Sequence, residues 1–241
     1  MKRGVFLLAI ILMIFAGSCK RLKKTDAEIE REHWISGFSD SVEYYQHRSR
    51  EVETRLTEIN GRLNQSLQDF EFIKNPREVS GYYLLKGWKS KIPFTTTAIY
   101  ARVNENHNLE LIATLAGATF NKIGVGNGAS EFYSETVPHD QAFNFRHERF
   151  NTVYFEGGKA DTIAEYISLN KAGKVTLEFL ETKRKKLFMI PQDEKDMISQ
   201  TWDLYSLQTA ARDLQKELWI NSRKIETFRR MMDTENKLEE N

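Results

Sequence analysis

The chain has 241 residues, of which 40% are hydrophobic and 12% aromatic, and its formal net charge is +1. That much apolar material can form a substantial core, which argues against an intrinsically disordered chain. The balanced charge lacks the basic signature of a nucleic-acid-binding protein, so no nucleic acid partner is expected. A single cysteine excludes an internal disulfide, so packing must stabilise the fold.

The start of the chain has the order of charged, apolar and small residues that is typical of secretion signals. Lys2 and Arg3 precede an unbroken apolar run at residues 5–15, and small residues follow at 16–18. The run is shorter than the roughly 20 apolar residues that span a bilayer as a helix. Residues 1–18 are therefore predicted to be a signal peptide.

The box Ala16-Gly17-Ser18-Cys19 resembles the bacterial lipoprotein signal, in which the cysteine becomes the lipidated first residue of the mature protein. It departs from the usual pattern at Ala16, where leucine is common, and this looser form is similar to lipoproteins of the Bacteroidetes. The resemblance implies a lipid on Cys19 that anchors the chain to a membrane of the bacterial cell envelope. An uncleaved signal anchor and a plain secretory signal are the alternatives.

Residues 19–25 are predicted to be a basic linker containing Lys20, Arg21, Lys23 and Lys24. These side chains are expected either to lie against anionic lipid headgroups or to be simply solvated. In lipoproteins of the Bacteroidetes type, an acidic patch just after the cysteine resembles the signal for export to the cell surface. That patch is missing here, which favours a periplasm-facing protein over a surface-exposed one.

Residues 26–75 carry a heptad pattern that predicts a first long helix. Asp26 suits its start, and Asn75-Pro76 suits its stop. The Asn60-Gly61 pair is the weakest point of this prediction, since glycine costs about 1 kcal/mol within a helix. The seam residues are Ile35, Phe38, Val42, Tyr45, Ser49, Val52, Leu56, Ile59, Leu63, Ser66, Phe70 and Ile73.

Residues 192–235 carry the same pattern and predict a second long helix, followed by a polar tail at 236–241. The helix is expected to start after Pro191, where Asp193 can cap it. The seam residues are Met197, Gln200, Leu204, Leu207, Ala211, Leu214, Leu218, Asn221, Ile225, Phe228 and Met232.

The two seams have equal lengths of about 36 residues, or roughly 54 Å of helix. Equal helices on either side of a central segment favour a long antiparallel helical hairpin, a coiled-coil stalk with that segment inserted at its far end. The register that best joins the ends places Ser49 against Asn221, Leu56 against Leu214 and Ile59 against Ala211. The competing arrangement pairs the helices between chains in a dimer or trimer, so the oligomeric state stays open.

Ile198, Trp202 and Tyr205 form an apolar stripe on the second helix, on the side away from the seam. One interpretation is that the stripe packs onto the central domain. The other is that it is a partner-binding patch. These three residues are therefore the candidates for binding an envelope protein partner.

Between residues 76 and 191 the period changes from seven to two, which predicts a β-rich domain. About eight short strands separated by turn residues favour a small antiparallel sandwich or barrel. One short helix is expected to begin near Asp161 and Thr162 and to end before Gly173, with Glu165 at capping-box distance. The fold class is therefore α+β.

The sequence contains no strong motif for phosphate binding, acid–base catalysis or zinc binding. The glycine-rich stretch 124–128 lacks the lysine and helix of a phosphate loop and is interpreted as a hairpin turn. His139-Asp140 has no nucleophile nearby in sequence, and the histidines show no zinc spacing. We therefore assign no catalytic residue, no metal ligand and no cofactor, while a site built from distant residues stays open.

The sequence favours a non-enzymatic, membrane-anchored lipoprotein that presents a β-rich binding or assembly module on a coiled-coil stalk. A lipid-anchored hydrolase of the cell envelope is the first alternative. A structural spacer subunit of an envelope complex is the second.

Overall fold

A computed structural model describes residues 25–74, 80–92, 96–128, 131–181 and 184–237. Cys19, the signal peptide at 1–18 and the linker before Thr25 lie outside the described residues. The described part is α+β, with three α-helices and two antiparallel sheets, so the predicted fold class is confirmed. Residues 51–218 form one compact unit, and the described residues before 51 and after 218 belong to a second.

The three helices are α1 (Asp26–Leu67), α2 (Gly158–Leu169) and α3 (Gln192–Lys237). Thr25 and Glu28 form a capping box at the start of α1: Thr25 Oγ1 accepts the Glu28 N–H at 3.3 Å, and Glu28 Oε2 accepts the Thr25 N–H at 2.6 Å. The chain stays helical through Asn60-Gly61. No described helix contains an apolar window long enough for a membrane span.

The first helix ends at Leu67, earlier than the predicted stop at Asn75. The seam residues Phe70 and Ile73 instead belong to a strand, where Phe70 is buried in the β-rich core. Their spacing fits a helix as well as a strand, and pairing with a neighbouring strand decides in favour of the strand.

The six-stranded sheet has the order β1-β2-β3-β4-β8-β7 and the four-stranded sheet the order β10-β9-β5-β6, and the neighbouring strands pair antiparallel. The strands are β1 (Phe70–Ile73), β2 (Tyr82–Leu85), β3 (Ala98–Asn104), β4 (Leu109–Ala116), β5 (Lys122–Gly126), β6 (Phe132–Tyr133), β7 (Asn144–His147), β8 (Phe150–Glu156), β9 (Thr176–Glu181) and β10 (Arg184–Met189). Of these, β1 falls outside the predicted strand regions.

The two sheets share one hydrophobic core. The ring of Phe120 lies 6.4 Å from Phe155 of the six-stranded sheet and 4.8 Å from Phe179 of the four-stranded sheet, measured between centroids. One face of α2 is buried in the same core through Ala160, Ile163, Ala164 and Ile167.

The short helix α2 begins at Gly158, one turn before the predicted start. Gly157 precedes it with a φ of 83°, a conformation that favours glycine. Thr162 therefore lies inside the helix, where its hydroxyl donates to the Gly158 carbonyl at 2.8 Å instead of capping the N-terminus.

Contacts in the unit formed by the described residues before 51 and after 218 join α1 to α3. Phe38 and Tyr45 lie 6.2 Å and 6.1 Å from the Phe228 ring, and Lys224 Nζ donates to Tyr45 Oη at 3.0 Å. Arg31 forms an ion pair with Glu235 at 3.7 Å. Residues further along α1 contact residues earlier in α3. In this unit the contacting segments of the two helices therefore run in opposite chain directions.

Candidate functional site

A pocket of about 290 Å³ lies at one end of the six-stranded sheet. Glu156 is the last residue of β8, Asp161 lies in the first turn of α2, and Tyr205 lies on α3. The sharp turn at Gly157 joins the first two of these elements, so the two carboxyl groups reach the same opening. The pocket is lined by Asn108, Leu109, Glu156, Gly157, Asp161 and Tyr205.

Asp161 and Tyr205 form a hydrogen bond in this pocket. Tyr205 Oη donates to Asp161 Oδ2 at 2.9 Å. Burial raises the pKa of Asp161, and the hydrogen bond from Tyr205 partly opposes that rise. Burial also raises the pKa of Tyr205, and the neighbouring carboxylate of Asp161 raises it further.

Glu156 lies directly across from Glu110, which in turn lies across from Arg102. Burial raises the pKa of Glu156, and the charge of Glu110 raises it further, while Arg102 opposes both effects. The pocket thus presents two carboxyl groups that hold their protons more tightly than ordinary side chains do.

A buried ion pair between Arg102 and Glu110 lies on the two strands next to Glu156. Arg102 Nε lies 2.5 Å from Glu110 Oε2, and Asn104 Nδ2 donates to Glu110 Oε1 at 2.9 Å. The guanidinium lies 3.9 Å from the centroid of Tyr82 and 5.3 Å from that of Tyr154. These contacts satisfy the buried charges and fix the strand positions next to Glu156.

The first turns of α3 are fixed to the edge of β3 and so position Tyr205. Glu194 Oε2 accepts the Ile99 N–H at 3.0 Å, and Met197 Sδ accepts the Ala101 N–H at 3.4 Å. Burial raises the pKa of Glu194 to about 7, although the hydrogen bond from Ile99 opposes the rise. The helix thereby satisfies backbone donors that an open strand edge leaves unpaired.

The stripe of Ile198, Trp202 and Tyr205 packs against the hydrophobic core of the β-rich domain. Ile198 is fully buried and is therefore not available to a partner in this conformation. Trp202 and Tyr205 are partly buried, with ring centroids 5.5 Å apart. This packing agrees with the first interpretation of the stripe, and Tyr205 is the residue of the three that lines the pocket.

His139 and Asp140 do not form an acid–base pair with a hydroxyl. Asp140 Oδ1 accepts the backbone N–H groups of Ala142, Phe143 and Asn144, and those bonds lower its pKa. His139 Nε2 lies 3.8 Å from Glu181 Oε1, and the Thr119 hydroxyl donates to that same oxygen at 2.6 Å. The hydroxyl is thus bonded to the carboxylate rather than to the imidazole, and this geometry does not activate a nucleophile.

The described residues contain no group of three or more histidine, cysteine, aspartate or glutamate side chains arranged to hold a metal ion. Sequence reasoning missed Glu156 and interpreted Asp161 only as a helix cap. The signal for the site was the glycine pair at 157–158, which ends a strand with one acidic residue before it and another shortly after it.

No protein-family model matches the chain, and the searches of the curated proteins and of the solved structures likewise returned no significant match.

Proposed function

We propose that this chain is a lipoprotein of the bacterial cell envelope, anchored through Cys19 and facing the periplasm. In this proposal its β-rich domain is a non-enzymatic binding or assembly module, and its long helices form the stalk. The leader sequence supports the anchor, because it resembles a lipoprotein signal that ends at Cys19.

The stalk is proposed to be an antiparallel hairpin of α1 and α3. The contacts of Phe38, Tyr45 and Arg31 with residues of α3 support it, because they run in opposite chain directions. They also fit the register that places Ser49 against Asn221. Both of these side chains carry a buried polar atom, Ser49 Oγ and Asn221 Nδ2, that makes no hydrogen bond in the structure. The two atoms therefore do not bond to each other, and in the proposed register the side chains share a polar layer without a direct hydrogen bond.

The observation that carries the binding role is the pocket containing Glu156 and Asp161. Two carboxyl groups and a tyrosine hydroxyl converge on an opening of about 290 Å³. Such a pocket suits the ammonium or guanidinium group of a protein partner, because a nearby cation favours the charged form of both carboxyls. We propose that an envelope protein inserts a lysine or arginine side chain there.

The test is affinity capture from detergent-solubilised membranes with the full-length chain. The double variant E156Q/D161N should capture at least tenfold less of the partner than the parent chain does, since it removes both carboxylates. The matched control E105Q changes an exposed glutamate of the β3–β4 turn and should capture as much as the parent chain. Equal capture by all three chains would contradict the proposed site.

The anchor has its own test, membrane fractionation of the C19S variant. The proposal expects the parent chain in the membrane fraction and a loss of incorporated lipid in the variant. Lipid incorporation that persists in the variant would contradict an anchor at Cys19, whatever the outcome of the capture experiment.

The second candidate is a hydrolase of an envelope polymer, and one observation favours it. Glu156 and Asp161 both have raised pKa values and reach one pocket, an arrangement that general acid catalysis uses. Turnover of peptidoglycan or peptide fragments that E156Q or D161N abolishes, with E105Q unaffected, would favour this candidate over the binding module.

A further inference from the structure

Glu156 faces another carboxyl group across the six-stranded sheet. It lies opposite Glu110 in the antiparallel pairing of β8 with β4, so the two side chains are on the same face of the sheet. A hydrogen bond between the two carboxyl groups contributes to the raised pKa of Glu156. Two carboxylates cannot form such a bond, because both are acceptors only. One member of the pair therefore carries a proton.

The hydrogen bonds around Glu110 assign that proton to Glu156. Arg102 Nε donates to one oxygen of Glu110, and Asn104 Nδ2 donates to the other. Both donors favour the ionised form of Glu110, which is buried. Glu156 is then the protonated member, and it is the member of the pair that lines the pocket.

The charged and titratable groups around the pocket come from three further elements. Arg102 on β3 is the cation that acts on Glu156, but it is already held in an ion pair. Asp161 on α2 accepts the hydrogen bond of Tyr205 on α3, and the charge of Arg212 acts on that tyrosine. A buried carboxyl group without a cation of its own favours the neutral form. The pocket thus has a place for one more positive charge.

We propose that the pocket exchanges a proton for the cation it binds, an inference that rests on the proposed function and names how its site is regulated. Before binding, the proton lies on Glu156 in the hydrogen bond to Glu110. The ammonium or guanidinium group of the partner brings one positive charge into the pocket. The O–H bond of Glu156 then breaks, its electron pair stays on the carboxylate, and the proton passes to water. The net charge of the pocket is the same before and after binding.

This exchange makes the affinity for the partner depend on pH. Burial and the charge of Glu110 raise the pKa of Glu156 above 4.5, whereas a bound cation favours the ionised form and lowers it. Below the pKa of the free pocket the proton competes with the cation, so the apparent affinity falls about tenfold per pH unit for each proton released. Above that pKa the carboxylate is already ionised and the dependence disappears. The pocket should therefore release its partner when its compartment becomes acidic.

A ¹³C NMR titration of the detergent-solubilised full-length chain tests the exchange. The probe is n-butylguanidinium chloride, which mimics an arginine side chain, at a constant total chloride concentration. The carboxyl signals of Glu156 and Asp161 report both binding and protonation. Saturating probe should lower the pKa of Glu156, and the apparent Kd should rise about tenfold for each pH unit below the pKa of the free chain.

The variant E156Q removes the exchanging proton, and the titration of the parent chain stands by itself if this variant is unstable. E156Q should bind the probe more weakly and should lose about tenfold per pH unit of the dependence. The matched control E105Q changes an exposed glutamate and should behave as the parent chain does. An E156Q variant that keeps the full pH dependence would overturn the exchange.

The same titration separates this inference from the proposed function. A probe that perturbs the signals of Glu156 and Asp161 but leaves the pKa of Glu156 unchanged would overturn the exchange and leave the binding site in place. A probe that perturbs neither carboxyl group at any concentration would contradict both the exchange and the proposed cation site.

Discussion

Tyr205 donates a hydrogen bond to Asp161 at 2.9 Å, and this contact joins the third helix to the first turn of α2. The tyrosine comes from a stripe that the sequence pattern presents as apolar, and the aspartate from a position that the sequence presents as a helix cap. Together they form one wall of the acidic pocket.

The variant Y205F should raise the pKa of Asp161 further. The hydrogen bond from Tyr205 favours the ionised carboxylate, so its loss leaves burial less opposed. We also expect a loss of about 1 kcal/mol in the free energy of unfolding. An NMR titration of the Asp161 carboxyl measures the pKa, and Y133F, at a tyrosine that is 40% exposed, is the control. A pKa that falls in Y205F would contradict the assigned role.

The ionisation of Glu194 should make the folded protein less stable as the pH rises. Its pKa is about 7 in the folded protein, above the ordinary glutamate value of 4.5, so the native state binds the proton more tightly than the unfolded chain. The stabilisation is fully present below about pH 4.5 and is lost as the pH rises through 7, with a total of about 3 kcal/mol.

The variant E194Q should remove this part of the pH dependence, because its amide oxygen can still accept the Ile99 N–H and carries no charge. Urea unfolding at a series of pH values measures it, with E105Q as the control. At pH 8 E194Q should be more stable than the parent chain. A pH profile that E194Q leaves unchanged would show that Glu194 does not titrate in this window.

The variant R102M should destabilise the β-rich domain by about 3 kcal/mol or more, because it leaves the buried Glu110 carboxylate without its cation. It should also raise the pKa of Glu156, since Arg102 lowers it in the native protein. Thermal unfolding and the titration of Glu156 measure the two effects. R149M changes an arginine on the exposed turn before β8 and should alter neither quantity.

Gly61 and Gly81 should respond oppositely to alanine. Gly61 is an exposed helical residue with open space where a Cβ would lie, so G61A should stabilise the protein by about 0.5–1 kcal/mol. A Cβ at Gly81 would collide with the ring of Phe72, so G81A should destabilise it. Urea unfolding of both variants measures the difference, and a G61A variant that loses stability would contradict a continuous α1.

The heptad and alternating periods predicted the class of the fold because they reflect which faces are buried. Val52, Leu204 and Ala211, three apolar positions of the heptad pattern, are buried, and Leu204 belongs to the core of the β-rich domain. Phe70 and Ile73 fit both periods, and only pairing with β2, a contact that is not local in sequence, places them in a strand. The pocket was not predictable for the same reason: Glu156 and Tyr205 are far apart in sequence, and the packing of α3 against the β-rich domain brings them together.

The predicted register of the helices can be tested by a disulfide between S49C and N221C in the C19S background. A polar layer of Ser49 and Asn221 should place the two cysteines within disulfide range. The control S49C/L214C moves one cysteine seven residues along α3, or about 10 Å, and should not form the bond. Efficient disulfide formation in the control alone would show that the helices pair in a different register.

The most direct test of the central claim is photo-crosslinking in intact membranes from a photoreactive residue at position 108, on the rim of the pocket. The account predicts a crosslink to one envelope protein, and predicts that E156Q/D161N removes it while E105Q does not. A crosslink that persists without the two carboxyl groups would contradict the claim that this pocket binds the partner.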